Sequence, residues 1–495
     1  MFHLSANYSA MTLKSATLLL GLSLALFPST HYALENGKID LPELGDSSGS
    51  LLTGEEEKEL GQAFFRSLHS QITVSQDAEI QQYIQTLGQR LVAHSDAPAY
   101  PFYFFVVMEN DINAFAGPGG YIGVNSGLIL MTEAESELAS VIGHEIGHVT
   151  QRHLYRSAEA ASRMSIPTMA ATLAAILLGT QSAAAAQAAV IAVQAGNAQF
   201  QINFTREHEA EADRVGMQTL AGADFDPRSM PTFFERMQQS TRFYGQNVPE
   251  FLRTHPVTTS RISDTRGRAE TYPYKQYPDS LAYQLIKAKI RVITSTDDTD
   301  TLKYFQSHLN QGTADQRLVA RYGLGLSILK LQKFKDAEAI FQELHKNFPN
   351  QMQYATALAR TALEARDFST AVLRYRQLSE QYPENEALKL DYISALIKVG
   401  KAEQAKDNLS QLNLNTQRLP IYWELLAQVY SRLNQPAESH RYLAEYYYAT
   451  GQVRDAILQI RLAQKSKGLT ERLSAILAER LNFFMTEEIQ ARQNR

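Results

Sequence analysis

A chain of 495 residues exceeds one ordinary hydrophobic core, so two or three domains are expected. Hydrophobic residues at 44% and charged residues at 20% describe a folded chain rather than a disordered one. A net charge of −5 excludes the basic domain or stripe of a nucleic-acid binder, and the lack of cysteine excludes thiol catalysis, cysteine-ligated zinc and disulfides.

Met11 to Phe27 carries a lysine and then an apolar run, followed by Pro28, Ser29 and Thr30. That order predicts a secretory signal peptide over 1–33, cleaved after Ala33, with Met1 or Met11 as the start. The His31-Tyr32-Ala33 site departs from small-x-small, which keeps an uncleaved anchor as the alternative. Residues 34–52 are polar and rich in glycine and serine, and are expected to be a tether.

Thr53-Gly54-Glu55-Glu56-Glu57 predicts a helix start, with acids at the positive end of the dipole. Ile80, Tyr83, Ile84, Leu87 and Leu91 share one face of a second helix over Asp77 to His94. Phe102 to Met108 is an aromatic and β-branched run, hence a strand. Asn113-Ala114-Phe115-Ala116, the Gly117–Gly120 turn and Tyr121 to Val124 read as a hairpin. Its edge, with Asn113, Ala114 and Phe115, could pair with an extended peptide, or be an ordinary hairpin.

Thr132-x-x-Glu135 predicts a capping box opening a helix to about Arg156. That helix carries His144-Glu145-x-x-His148. Two histidines four apart share a helix face, about 5–6 Å between Cβ atoms, so their imidazoles can converge on one metal ion. Glu145 stands where a carboxylate can take a proton from water on that metal. The long metzincin motif wants glycine at 151 and histidine at 154; the chain has Gln151 and Leu154, and His153 is out of register. A third ligand must therefore come from further along.

Residues 165–200 are alanine-rich, with Thr180, Gln187, Gln194 and Gln201 spaced seven apart as a polar stripe. They predict a close-packed or surface-lying amphipathic helix that covers the site or makes peripheral membrane contact; a span would need about 20 predominantly apolar residues. In the charged run Phe204 to Arg214, Glu209 and Asp213 are i, i+4 and face the same way. Glu209 can be the third ligand, and Asp213 can accept from a ligand histidine's other ring nitrogen. A solvated charged face is the plainer meaning of such a run. His208 is an alternative ligand, about 100° round the helix from Glu209. Asp226-Pro227 and Met230-Pro231 begin another helix, and Thr254-His255-Pro256 follows in a loop where nothing local selects the histidine.

After about 270 the composition turns to helices without a catalytic cluster. Ala337, Ala371 and Ala405 are spaced 34, as are Phe334 and Phe368, Phe341 and Tyr375, Leu344 and Leu378, and Pro349 and Pro383. A 34-residue period of this kind is the tetratricopeptide pattern, whose stacked helix pairs form a partner-binding surface. Ala405 to Ala456 is one and a half periods, so the register is expected to break near 410–420.

These motifs in this order resemble the β-barrel assembly-enhancing proteases, periplasmic HExxH peptidases of Gram-negative bacteria with C-terminal tetratricopeptide repeats. The resemblance rests on Asn113-Ala114-Phe115-Ala116 with its turn, His144 to Leu154, Glu209-x-x-Ala212-Asp213-Arg214, Thr254-His255-Pro256 and the repeats. Pro118 in the turn departs from the pattern. The resemblance implies one zinc ion held by His144, His148 and Glu209, Glu145 as general base, and His255 approaching from its loop as a regulatory ligand. It implies a periplasmic enzyme acting on misassembled outer-membrane proteins and assisting their maturation, the lipopolysaccharide-export barrel included, with the barrel assembly machinery as a partner. The expected fold is an α+β zincin-type metalloprotease domain over 53–270, mainly helical with a small sheet, followed by an all-α tetratricopeptide-repeat domain over 271–490. The rivals are a chaperone or adaptor with a latent or structural metal site, and an integral-membrane HExxH protease.

Overall fold

The computed structural model describes residues 52–157, 166–177, 206–244, 249–278, 280–413 and 416–493. The expected signal peptide and most of the tether lie outside them, as does much of the alanine-rich segment. Helix α1 (Gly54–His69) opens with a capping box: Thr53 Oγ1 accepts the Glu56 N–H at 3.3 Å, and Glu56 accepts the Thr53 N–H at 2.8 Å. Helix α2 (Ala78–Val92) starts at Asp77 and buries the expected face through Ile80, Ile84, Leu87 and Leu91.

Strands β1 (Tyr103–Val107), β2 (Ala114–Ala116) and β3 (Tyr121–Asn125) form one sheet in the order β1-β3-β2. β3 is parallel to β1 and antiparallel to β2, which leaves β2 at the edge. The β2–β3 turn runs through Pro118–Gly120, where Gly119 and Gly120 take φ of 68° and 76°. Pro118 begins that turn, where its fixed φ is tolerated and no ladder N–H is lost. Alternation along β1 feeds two cores: Phe104 and Val106 pack with α2 residues, and Phe105 and Val107 with α1 residues.

Helix α3 (Ser126–Met131), which sequence reasoning missed, precedes α4 (Glu135–Thr150). The expected capping box at Thr132 is not formed. Thr132 closes α3, and its fully buried hydroxyl bonds Ile129 O at 2.9 Å and Tyr283 Oη at 2.7 Å. Glu135 instead accepts from Tyr83 Oη at 2.8 Å, and Ala134 stands at the N-cap. Long-range partners have outcompeted the local cap. Nor does the helix run unbroken to Arg156: Arg152 takes φ of 55°, and a separate short helix, α5 (His153–Ser157), follows.

Helix α6 (Ile166–Leu177) packs on α1 through buried Ala170, Leu173, Ala174 and Leu177. That apolar face is spent inside the protein, at about 1.5–3 kcal/mol for each leucine buried. Among the described residues no helix is long and apolar enough to cross a membrane. Helices α7 (Arg206–Gly222), α8 (Ser229–Tyr244), α9 (Glu250–Thr254) and α10 (Thr259–Ala269) complete the protease part.

Antiparallel helices follow from Leu281–Thr294 to Glu471–Gln493. Ala337, Ala371 and Ala405 are wholly buried at successive helix crossings. Four turn residues spaced 34, Gln332, Arg366, Gly400 and Asn434, all have positive φ between 57° and 80°. The period therefore continues past 410–420, where a break was expected. What changes there is one helix, Ala402–Ser410, of 9 residues where its counterpart Phe368–Gln381 has 14. Gly468 follows 34 past Asn434, and Gly451 adds one more positive-φ turn half a period before it.

The repeats grip the protease part through charge. Buried Lys289, on Leu281–Thr294, lies 2.7 Å from Asp77 and 2.6 Å from Glu79 at the start of α2. At the far end, Arg66 of α1 sits over the Tyr448 ring at 4.6 Å and 3.8 Å from Glu487.

Candidate metal centre

The site is built where α4 crosses α7. The crossing is close because both helices meet through glycine. A Cβ on Gly216 would stand 2.8 Å from His144 N, and one on Gly147 would stand 3.0 Å from Ala212 O. The glycine inside His144-Glu145-Ile146-Gly147-His148 thus serves helix packing, and it sets how far α7 side chains stand from the histidines.

His144, Glu145 and His148 are buried on α4, and Glu209 and Asp213 are buried on α7. His144 Nε2 and His148 Nε2 are 3.0 Å apart, with Glu209 oxygens 3.6 Å and 3.4 Å from them. His255 joins from the loop after α9. Pro256 disfavours helical backbone at His255, and φ of −124° ends the helix there. Its Nδ1 reaches 2.9 Å from Glu209 Oε1 and 3.5 Å from His144 Nε2. One donor atom from each of His144, His148, Glu209 and His255 lies within 4.8 Å of the others. His208 stands outside this group, stacked at 4.4 Å on the ring of His153.

Sequence reasoning gave no role to Arg261, on α10. Its Nε and Nη2 grip Asp213 at 2.8 Å and 2.7 Å, and its Nη1 lies 2.6 Å from Glu209 Oε2. Asp213 Oδ1 in turn lies 2.9 Å from His144 Nδ1. Burial opposes ionisation of Asp213, but Arg261 and His144 outweigh it and hold the carboxyl below its usual range. Burial likewise opposes ionisation of Glu209, and the surrounding histidines pull it well down. Burial lowers His144, yet Asp213 and Glu209 raise it to about 9. Glu145 is pushed up by burial, against His255 and His144.

The donor set fits a dication. Three imidazoles and a carboxylate are the nitrogen and oxygen ligands that zinc accepts. With the histidines neutral, as metal ligands must be, and the three buried carboxylates Glu145, Glu209 and Asp213 ionised, one buried guanidinium, Arg261, leaves two negative charges in surplus. A divalent cation balances that surplus; without one, burying it is costly.

The expected substrate residues stand differently. Asn113, Ala114 and Phe115 are all buried, and Asn113 O accepts the Asn125 N–H at 2.9 Å. Strand β2 lies at the sheet edge and packs against α4, and all three of its residues are buried.

Residues 78–269 match peptidase family M48, and residues 362–429 match the tetratricopeptide repeat. With the buried donor group, this makes the chain a metallopeptidase of the M48 class. A beta-barrel assembly-enhancing protease of Escherichia coli (strain K12) is 33% identical over 417 residues, covering 84% of this chain and 85% of the relative. A Vibrio cholerae protein provisionally given the same name is 38% identical over 405 residues, covering 82% and 84%. The zebrafish (Danio rerio) mitochondrial metalloendopeptidase OMA1 is 31% identical over 204 residues, covering 40% of this chain and 43% of its own. The chain belongs to the β-barrel assembly-enhancing protease family.

Proposed function

We propose that this chain is a periplasmic zinc endopeptidase that cleaves misassembled outer-membrane proteins and assists barrel assembly. The observation that carries the reading is the convergence of His144, His148, Glu209 and His255 beside Glu145. His144, His148 and Glu209 would hold the zinc, in a protease domain over 53–270. Zinc bound there supplies Lewis acidity towards a carbonyl oxygen and towards water.

Every other part of the chemistry falls to the chain's own residues. Glu145 is buried beside the Ala116 backbone N–H and 3.6 Å from His255 Nε2, and burial raises its hold on a proton. Glu145 takes a proton from the attacking water and passes it to the leaving amine. Arg261 and Asp213 hold α10, α7 and His144 in place. Once uncovered, the backbone of β2 would align the substrate by adding it as a strand, which suits an unfolded barrel segment of high strand propensity. His255 would be a further donor beside His144, His148 and Glu209 at rest, and would give way to substrate.

The repeats over 271–490 would recruit the unfolded barrel or the assembly machinery. The relatives' names and the signal-like Met11–Phe27 stretch support the envelope setting. Closure by His255 favours a second reading, an adaptor or chaperone whose site stays latent, because a fourth protein ligand removes the open position.

The test offers the purified chain a urea-unfolded outer-membrane barrel and the same barrel folded in detergent, before and after chelation. The expected result is cleavage of the unfolded form alone, lost on chelation and restored by zinc. Equal cleavage of both forms, or cleavage that survives metal removal, contradicts the proposal.

A further inference from the structure

His153 lies outside the donor group, yet it is wholly buried and touches a donor residue. Its Nδ1 stands 2.9 Å from His148 Nδ1, and its Nε2 stands 3.1 Å from Glu211 Oε2. On one continuous helix, five residues would carry His153 about 140° round the axis from His148. The break at Arg152, with φ of 55°, folds it back. His208, stacked on His153 at 16° between planes, holds that ring's orientation.

With His153 neutral, the hydrogen bonds in this series run in one direction. Glu211 Oε2 also accepts from Arg156 Nη1 at 3.2 Å, which marks it as a carboxylate acceptor. His153 must therefore donate from Nε2. A neutral imidazole that donates from Nε2 accepts at Nδ1. His148 must then donate from its own Nδ1, which leaves its Nε2 without a proton and turned towards His144 Nε2 and Glu209. We infer that His153 and Glu211 are positioning residues that lock His148 in its metal-ligating tautomer. The inference rests on the metal reading of the site.

Helix α7 then serves both histidines of α4. Asp213 reaches His144 directly, at 2.9 Å, and Glu211 reaches His148 through His153. Glu209, Glu211 and Asp213 alternate along one helix: one donor and two supports. Such outer partners fix ring orientation and raise ligand basicity.

The experiment measures zinc affinity of the full chain by competition with a chromophoric chelator. His153→Leu removes both hydrogen bonds. His153→Gln keeps one acceptor and one donor. Glu211→Lys, at a partly exposed position, replaces the terminal acceptor with a donor and so reverses the whole chain. We expect affinity about 10–100-fold weaker in His153→Leu. We expect His153→Gln to recover most of that loss, and Glu211→Lys to weaken zinc without moving the unfolding midpoint of the metal-free protein. Parental affinity in Glu211→Lys overturns the inference, as does an equal loss in His153→Leu and His153→Gln. If His153→Leu does not fold, Glu211→Lys decides alone. A parent chain that binds no zinc overturns the metal reading beneath it, which is a separate outcome.

Discussion

His255 Nδ1 lies 2.9 Å from Glu209 Oε1, so a loop residue bonds directly to the carboxylate that α7 brings to the two α4 histidines. Its other ring nitrogen is 3.6 Å from Glu145 Oε1. One side chain thus occupies the space between donor carboxylate and base.

If that side chain closes the site at rest, His255→Ala opens it. The variant keeps its zinc, because three protein ligands remain. A closed state favoured ten to one would give about a tenfold rise in cleavage when abolished. Initial rates on an unfolded barrel protein, with zinc content measured in the same samples, check this. A fall in rate would make His255 catalytic or structural instead.

Arg261 braces Asp213 through two hydrogen bonds, at 2.8 Å and 2.7 Å. Replacing it by methionine leaves Asp213 and Glu209 buried without their guanidinium. The expected loss is about 3–5 kcal/mol of folding stability, the cost of stranding a buried charge. Urea denaturation of the zinc-loaded chain measures it, and an unchanged midpoint contradicts the bracing role.

The interface with the repeats should respond to pH through Asp391, on Glu386–Lys398. Burial, then Asp77 and Glu79, push its carboxyl up to about 7, against the pull of Lys289 and Arg360. Unfolded, the group titrates near about 4. Between those values the folded chain holds the proton more tightly, so the protonated group's contribution to stability is lost as pH rises through about 7. Asp391→Asn should therefore gain stability over the parent at pH 8 and gain less at pH 5. Equal differences at both pH values would show that the carboxyl does not titrate there.

Much of this centre is visible in the sequence because its parts are local. His144, Glu145 and His148 need only helical spacing, and leucine at position 154 turns the search for a further ligand to the distant helix of Glu209, where His208 stood as the alternative. Less visible is whatever depends on a backbone irregularity or a distant partner. His153 sits out of register until the positive φ of Arg152 returns it to His148. Arg261 looks like any surface arginine until α10 is laid on α7. Thr132 and Glu135 spell a cap that Tyr283 and Tyr83, both remote, take apart. The 34-residue period showed in its alanines, but its turns are Gln332, Arg366, Gly400 and Asn434, four residue types sharing a conformation and no chemistry. That is why the period seemed to break near 410–420.

The central claim is that Glu145 acts as base beside a metal held by its neighbours. Metal analysis and cleavage of an unfolded, casein-type substrate, run together on the parent and on Glu145→Gln, test it most directly. The expected result is one zinc per chain in both, and a rate lower by about 10²–10⁴-fold in the variant. A variant that holds its zinc and cleaves as fast as the parent would contradict it.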